Sequence, residues 1–383
     1  MAARRPSAYI AGIYEHPERS IETASLATVY VDIVAGVLAD AGLTIDQVDG
    51  FHTSLTPGGM VSLADTLGLR HARHFDGTDL GGATYVSSMA TAARAIEAGD
   101  ADVVLVVMAG LPRRGMFNRA APGPHAVYEQ AHGSTLVAQY ALAAQRHMAM
   151  YGTTREDLAH IKVASSYHAS FNPHAMLRQR VTLEEVLEQP PIAEPLHKMD
   201  CCVVSDGGGA LLVVREEVAR SLGKPLVGVI GHGETTRNWS NGRPDLTTTG
   251  AAETGARAFA EAGVTPEDVD YASVYDSFTI TVLLSLEDLG FCPKGQGGRF
   301  VRDGALLSPN GVLPLNTDGG GLSNNHPDMR GGMIRSIEAV RQLRGEAHPA
   351  LQVPSCELAV VHGSGFSLGS RSMSATSVLV RES

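Results

Sequence analysis

Residues 316–333, NTDGGGLSNNHPDMRGGM, set one histidine between two stretches of nearly bare backbone. Glycine has no Cβ, so it lets main chain close on main chain or on a ligand. His326 is therefore expected on a loop that fits tightly around something, with an imidazole that changes charge near neutral pH. The thiols point elsewhere. Cys201, Cys202, Cys292 and Cys356 include no C-x-x-C pair, and no histidine spacing beside them suggests zinc, so no metal is expected. They are expected to be reduced structural thiols of a cytoplasmic protein.

Such a loop needs a large scaffold, and the composition supplies one. The 383 residues are 44% hydrophobic and 19% charged, which excludes a disordered chain. The net charge of −11 disfavours nucleic acid and anionic membranes as main partners. The start, MAARRPSAYIAGIYEH, is basic, but no apolar run follows that would make a signal peptide. No stretch approaches the ~20 apolar residues that span a bilayer.

Short apolar runs alternate with helical patterns. DADVVLVVMAG (100–110), DGGGALLVV (206–214), PLVGVIGHG (225–233) and ELAVVHGSG (357–365) read as buried strands, and SSMATAARAIEAG (87–99) as a helix of small residues. Continuous apolar strands with helices between them indicate an α/β protein whose sheets are covered on both faces. The chain also repeats itself. AGLTIDQVD (41–49) and AGVTPEDVD (262–270) share Ala, Gly, Thr, Val and Asp, and each follows a helix and leads into a strand. This predicts duplicated halves, 1–225 and 226–383. Residues 111–200 break the pattern with LPRRGMF, APGPH, FNPHAMLRQR and a helix at 136–150, and read as an inserted loop domain that caps a site.

Five stretches, RHMAMYGTTREDLA, DCCVVSDGGGALLV, VYDSFTITVLLSLEDLGFCPKGQGGRFV, LNTDGGGLSNNHP and VVHGSGFSLGS, make the chain resemble the thiolase superfamily. The resemblance is to the sterol-carrier-protein type and its thiolase-like aldolase relatives. It implies two βαβαβαββ halves in a five-layer α-β-α-β-α sandwich, a homodimer, and an acyl-CoA thioester as substrate with no cofactor beyond that coenzyme A. His326 matches the family histidine that holds the thioester oxygen. Asn325 stands for the family glycine before it, and Asp328-Met329-Arg330 replace the usual Leu-Gly-Ala. Asn316 opens the Asn-x-x-Gly-Gly pattern and is expected to line the substrate side.

The departures carry the functional reading. The family nucleophile, a cysteine, falls on Gly82, and no cysteine lies in residues 1–200. Ser87 and Ser88 are nearby hydroxyls with no base tied to them, and are expected to pack a helix. Tyr275 stands where the sterol-carrier type has histidine, as it does in the steroid side-chain aldolases. A phenol donates a proton readily and is a base only if its pKa is lowered. His362 of HGSG is expected as a base or acid. Backbone N–H groups at Gly82 and Gly365 are expected to form an oxyanion hole. Where the aldolases carry a second tyrosine, this chain has Asn324 and Asn325. His132 is a further candidate for the pocket wall. The resemblance implies retro-aldol cleavage of a β-hydroxyacyl-CoA through a thioester enolate, with a small OB-fold and zinc-ribbon partner. The alternatives are an acyltransferase of biosynthesis and a non-catalytic thiolase-like subunit.

Overall fold

A computed structural model describes residues 3–54, 59–115, 131–237, 245–367 and 371–382. The APGPH stretch of the insertion lies outside them. The first set of elements runs β1 (Ala8–Glu15), α1 (Leu26–Ala41), β2 (Gly50–Thr53), α2 (Gly59–Leu67), β3 (His74–Gly77), α3 (Thr84–Glu97) and β4 (Val103–Gly110). An insertion with α4 (Leu136–Tyr151) and α5 (Arg155–Ala169) leads to β5 (Gly207–Arg215). The second set is β6 (Leu226–Arg237), α6 (Ala251–Ala262), β7 (Tyr271–Val274), α7 (Thr279–Asp288), α8 (Gly331–Arg344), β8 (Leu358–Ser367) and β9 (Arg371–Glu382).

The strands order as β3-β2-β4-β5-β1-β6-β9-β8-β7. The second set mirrors the first, except that its third strand is reduced to one bridge between Leu315 and Ala272. The two sets meet where Tyr9 of β1 pairs with Gly228 of β6, so one continuous sheet forms. Alternation along the strands sorts the core. Val104, Val106 and Met108 of β4 face a central core with α3 and α8, while Val103, Leu105 and Val107 face α1. In β8, Ala359 and Val361 join that central core, while Leu358 and Val360 face α6 and α7. Both faces of each strand set are thus buried, which is why these strands read as unbroken apolar runs. The layers run α-β-α-β-α, with α3 and α8 in the middle.

The repeated sequence has the same physical job twice. Gly42 and Gly263 both end their helix at φ 71°, a left-handed conformation that glycine adopts without strain. Thr44 and Thr265 then start a 3-10 turn, their N–H groups held by Gln47 at 2.9 Å and Asp268 at 2.8 Å. The last aspartate pins the next strand. Asp49 Oδ1 accepts from the N–H groups of Asp102 (2.9 Å) and Val103 (2.8 Å). Asp270 Oδ2 accepts from those of Glu357 and Leu358, both at 2.9 Å. A short motif therefore sets the start of β4 and of β8.

The insertion is tied to the second half by buried polar contacts. His147 of α4 meets Glu287 of α7 at 3.0 Å with both side chains fully buried. No helix among the described residues is long and apolar enough to cross a membrane.

Removing either pinning carboxylate leaves two N–H groups at a strand start without their acceptor. Asp270→Ala and Asp49→Ala should each destabilise by about 1–3 kcal/mol, read as a lower Tm in thermal melts. Unchanged melting of both variants would show that these aspartates do not fix the strands.

Candidate active site

Tyr275 follows directly on β7, at the end of a strand whose neighbours are β8 and the glycine loop. Its N–H donates to the carbonyl of His362 at 2.9 Å. One residue earlier, the Asn316 amide takes both main-chain groups of Val274, accepting from N–H at 2.9 Å and donating to C=O at 2.8 Å. Asn316 holds φ 50° to do so, a conformation asparagine adopts more readily than most residues. Its amide is thus committed to the backbone that carries Tyr275, a positioning task rather than the substrate contact expected from the pattern.

Asp276 turns the other way and caps the glycine loop. Its carboxylate accepts from Gly321 N–H at 2.8 Å and Leu322 N–H at 3.1 Å. A Cβ on Gly320 would stand 2.0 Å from that carboxylate, so only glycine fits. From the insertion, Lys162 donates to the Leu322 carbonyl at 2.6 Å and the Ser323 hydroxyl at 2.8 Å. Burial lowers the Lys162 ammonium to about 8, against the pull of Asp276 and Asp200. The π-helical turn Gly320–Asn324 is therefore gripped from both sides.

The histidine leaves this turn with its position over-determined. His326 N–H donates to Ser205 Oγ at 2.7 Å, and that hydroxyl donates to Asn325 Oδ1 at 2.6 Å. Cβ atoms on Gly321 and Gly331 would lie 2.9 and 3.0 Å from the imidazole Cδ2. The glycines on either side of His326 are there to let backbone close on the ring. The ring centroid stands 5.2 Å from that of Tyr275, tilted by 52°. Nε2 is buried without a hydrogen-bond partner. Burial lowers His326 to about 4, with Asp328 acting in the opposite sense, so the imidazole is neutral at pH 7.

Gly82 lies in the 3-10 turn Gly81–Ala83 that opens α3. A Cβ here would fall 2.3 Å from Cζ of Tyr275 and 2.4 Å from the Ser364 carbonyl. The space where a thiol would project from this turn is filled by the Tyr275 ring. The phenol is only 6% exposed. Burial pushes its pKa well above the ordinary value, with Asp328 and Asp276 as smaller contributions in the same direction, so it is protonated at neutral pH. Neither α3 nor α8 has a side-chain N-cap, and the turns that lead into them pack together. Uncapped first-turn N–H groups favour negative charge nearby.

His362 and Gly365 share β8 but face opposite sides. Gly365 faces the turn, where a Cβ would meet the Leu80 carbonyl at 2.0 Å. His362 pairs in register with Thr376 of β9 and bonds its hydroxyl through Nδ1 at 2.9 Å, and Thr376 bonds Thr254 of α6 at 2.7 Å. Successive side chains on a strand alternate faces, so His362 sits on the α6 side, fully buried and lowered to about 4 by burial. No hydrogen bond joins its ring to Tyr275 or His326, and its Nε2 has no partner. The structure therefore brings Tyr275, His326 and Gly82 together and gives His362 a separate setting.

Ser87 donates to Glu234 at 2.6 Å, Ser88 is buried, and His132 is exposed. Sequence reasoning missed Ser205, Cys202 and Asp328 as members of the site. Ser205 and Cys202 stand in the DCCVVSDGGG stretch, which the sequence marks for its strand, its structural thiols and its family resemblance and not for a site. Cys202 N–H donates to the Ser277 carbonyl at 3.0 Å. Its thiol is half-buried, and burial pushes its pKa up, which keeps it protonated. Its nearness to Tyr275 depends on a contact across the fold that spacing does not carry.

Comparison with known proteins gives this geometry its setting. The family model described as thiolase C-terminal domain-like matches residues 231–381. The 17-hydroxy-3-oxo-4-pregnene-20-carboxyl-CoA lyase of Mycobacterium tuberculosis is 35% identical over 82% of this chain and 85% of its own. An acetyl-CoA acetyltransferase of Methanothermobacter thermautotrophicus is 32% identical over 86% of this chain and 88% of its own. The solved structure of the Ltp2-ChsH2(DUF35) aldolase has a TM-score of 0.89 and 31% identity, covering 98% of both chains. The chain belongs to the thiolase superfamily, beside its sterol-carrier-protein-type and aldolase members, and is a thiolase-like enzyme of the carbon–carbon lyase or acyltransferase kind.

Proposed function

We propose that this chain cleaves the Cα–Cβ bond of a β-hydroxyacyl-CoA by a retro-aldol reaction and forms no acyl-enzyme. The observation that carries this reading is the Tyr275 ring in the space beside Gly82, where the family's thiol would project. A neutral phenol in that place cannot take up an acyl group as a thiolate does, but it can protonate carbon. As the Cα–Cβ bond breaks, charge collects on the thioester oxygen. His326, through its unpartnered Nε2, and the Gly82 N–H at the start of α3 stabilise that oxygen, in the manner of preorganised donors. The Tyr275 phenol then protonates Cα. Asn316 and the carbonyl of His362 hold the Tyr275 backbone in place.

The substrate class follows from the named relatives. The M. tuberculosis relative is by name a lyase of a 17-hydroxy steroid carboxyl-CoA. A steroid-derived β-hydroxyacyl-CoA is the substrate proposed here, with coenzyme A entering only as part of it. The aldolase of known structure is named Ltp2-ChsH2(DUF35), with a DUF35 component. We extend this to a small OB-fold and zinc-ribbon partner and a homodimeric core in the cytoplasm.

Three measurements bear on this. Intact-mass spectra after incubation with acyl-CoA should show no adduct, and a stoichiometric adduct would favour the acyltransferase. Tyr275→Phe keeps the ring but not the donor, so kcat should fall about 10²–10⁴-fold with little change in KM. A folded Phe variant with wild-type turnover would remove Tyr275 from the chemistry. Purified alone, the chain should be a poorly active dimer that gains activity when co-expressed with a DUF35-type partner. Full activity of the lone dimer would count against an obligatory partner.

A further inference from the structure

The retro-aldol reading leaves one role unfilled. Tyr275 delivers a proton to Cα, and His326 serves the thioester oxygen. Something must still take the proton of the β-hydroxyl. The turn Asp328–Arg330, directly after His326-Pro327, holds an unusual pair. Asp328 sits at φ 57°, in the left-handed region, and its N–H donates to the His326 carbonyl at 2.9 Å. Aspartate and asparagine adopt this region more readily than other non-glycine residues. The Asp328 carboxylate lies near Arg330, with Oδ2 3.6 Å from Nη1.

Arg330 is almost fully buried, at 1% exposure, and its Nε and Nη1 have no hydrogen-bond partner. A Cβ on Gly110 would lie 2.9 Å from its Cδ, so the guanidinium is wedged against the end of β4. Tyr30 and Tyr85 are its other ionisable neighbours. A buried cation strongly favours a nearby carboxylate. Asp328 is that carboxylate, yet its side chain remains 35% exposed. The turn packs on Gly81–Ala83, at the mouth of the same site. Tyr275 from β7, Cys202 from the loop before β5 and His326 on its own loop all lie within electrostatic reach of Asp328. It is a partly exposed carboxylate 3.6 Å from a fixed cation, two residues after His326 and on a turn that packs against Gly81–Ala83.

We infer, on the basis of the retro-aldol reading, that Asp328 is the catalytic base that accepts the β-hydroxyl proton, oriented by Arg330. The O–H bond breaks and its proton passes to the carboxylate. The oxygen forms the new carbonyl, and the Cα–Cβ electron pair moves into the thioester enolate. Tyr275 protonates Cα, and the proton on Asp328 returns through solvent to the phenolate. Nothing is oxidised or reduced, and no co-reactant is needed.

The test uses the full chain with its partner, and 17-hydroxy-3-oxo-4-pregnene-20-carboxyl-CoA as probe. Asn tolerates a left-handed backbone, so Asp328→Asn removes the base and not the turn. It should lower kcat about 10²–10⁴-fold with KM nearly unchanged. Asp328→Gly suits φ 57° and opens space, so added formate should raise its kcat without changing its Tm. Wild-type turnover in Asp328→Asn overturns the assignment. So does a folded Asp328→Gly that formate does not rescue. A wild-type complex that fails to cleave overturns the retro-aldol reading, and this inference with it.

Discussion

The site depends on one buried carboxylate bridging two distant segments. Asp276, next to Tyr275, accepts from Gly321 and Leu322 at 2.8 and 3.1 Å. Burial raises its pKa, and the two N–H groups and the Arg335 cation work against that. If this contact were absent, the glycine loop would have no fixed height above β7, and His326 would not meet Tyr275. The contact also demands glycine at 320, since any Cβ would collide with the carboxylate. Glycine weakens a loop through its entropy in the unfolded chain, so such a loop needs strong partners on its remaining sides.

Those partners are charges. Arg335 meets Asp318 at 2.7 Å with both side chains about 1% exposed, and Asn324 donates to the same carboxylate at 2.9 Å. Arg19 joins Glu15 at 2.6 Å and Asn324 Oδ1 at 3.0 Å, and Asn325 donates to Glu15 at 2.9 Å. Arg19 and Arg341 hold the Glu15 carboxyl below its usual range although it is buried. Asn324 and Asn325, which stand where aldolase relatives carry a second tyrosine, are thus spent on the network that fastens the loop to β1. Buried ion pairs contribute little net stability against apolar packing, but losing one partner is costly. Such a network fixes a unique loop geometry better than it raises stability, as a catalytic loop requires.

A substitution of shape decides what stands at the start of α3. With glycine at 82 and glycines at 332, 363 and 365, the opening turn of α3 is packed so closely that Cβ atoms at these positions would stand 2.0–2.8 Å from backbone oxygens. The phenol of Tyr275 occupies the remaining space. The family's usual nucleophile is therefore absent in type and also in volume. What persists is the Gly82 N–H at the start of α3 and a neutral imidazole, the groups that the proposed enolate needs.

Much of this was legible in the sequence because it depends on local chemistry. Apolar runs bounded by glycine and aspartate mark strands covered on both faces, and β4, β5, β6 and β8 lie where those runs stand. The repeat at 41–49 and 262–270 marks the duplicated unit because Gly, Thr and Asp each answer a fixed backbone need. The loss of the nucleophile was plain once the family resemblance placed its cysteine on Gly82, in a stretch without cysteine. Three things required the tertiary structure. The face of β8 on which His362 lies depends on which layer covers each side, and alternation alone cannot tell α3 from α6. Asn316 could have bound substrate or backbone, and only the approach of β7 commits its amide. Ser205, Cys202 and Asp328 acquire meaning from neighbours far away in sequence, 121 positions in the case of Ser205 and His326. Sequence spacing encodes hydrogen bonds along a turn or helix. It does not encode which buried groups meet when two strand sets and an insertion close on one another, and that is where this site is assembled.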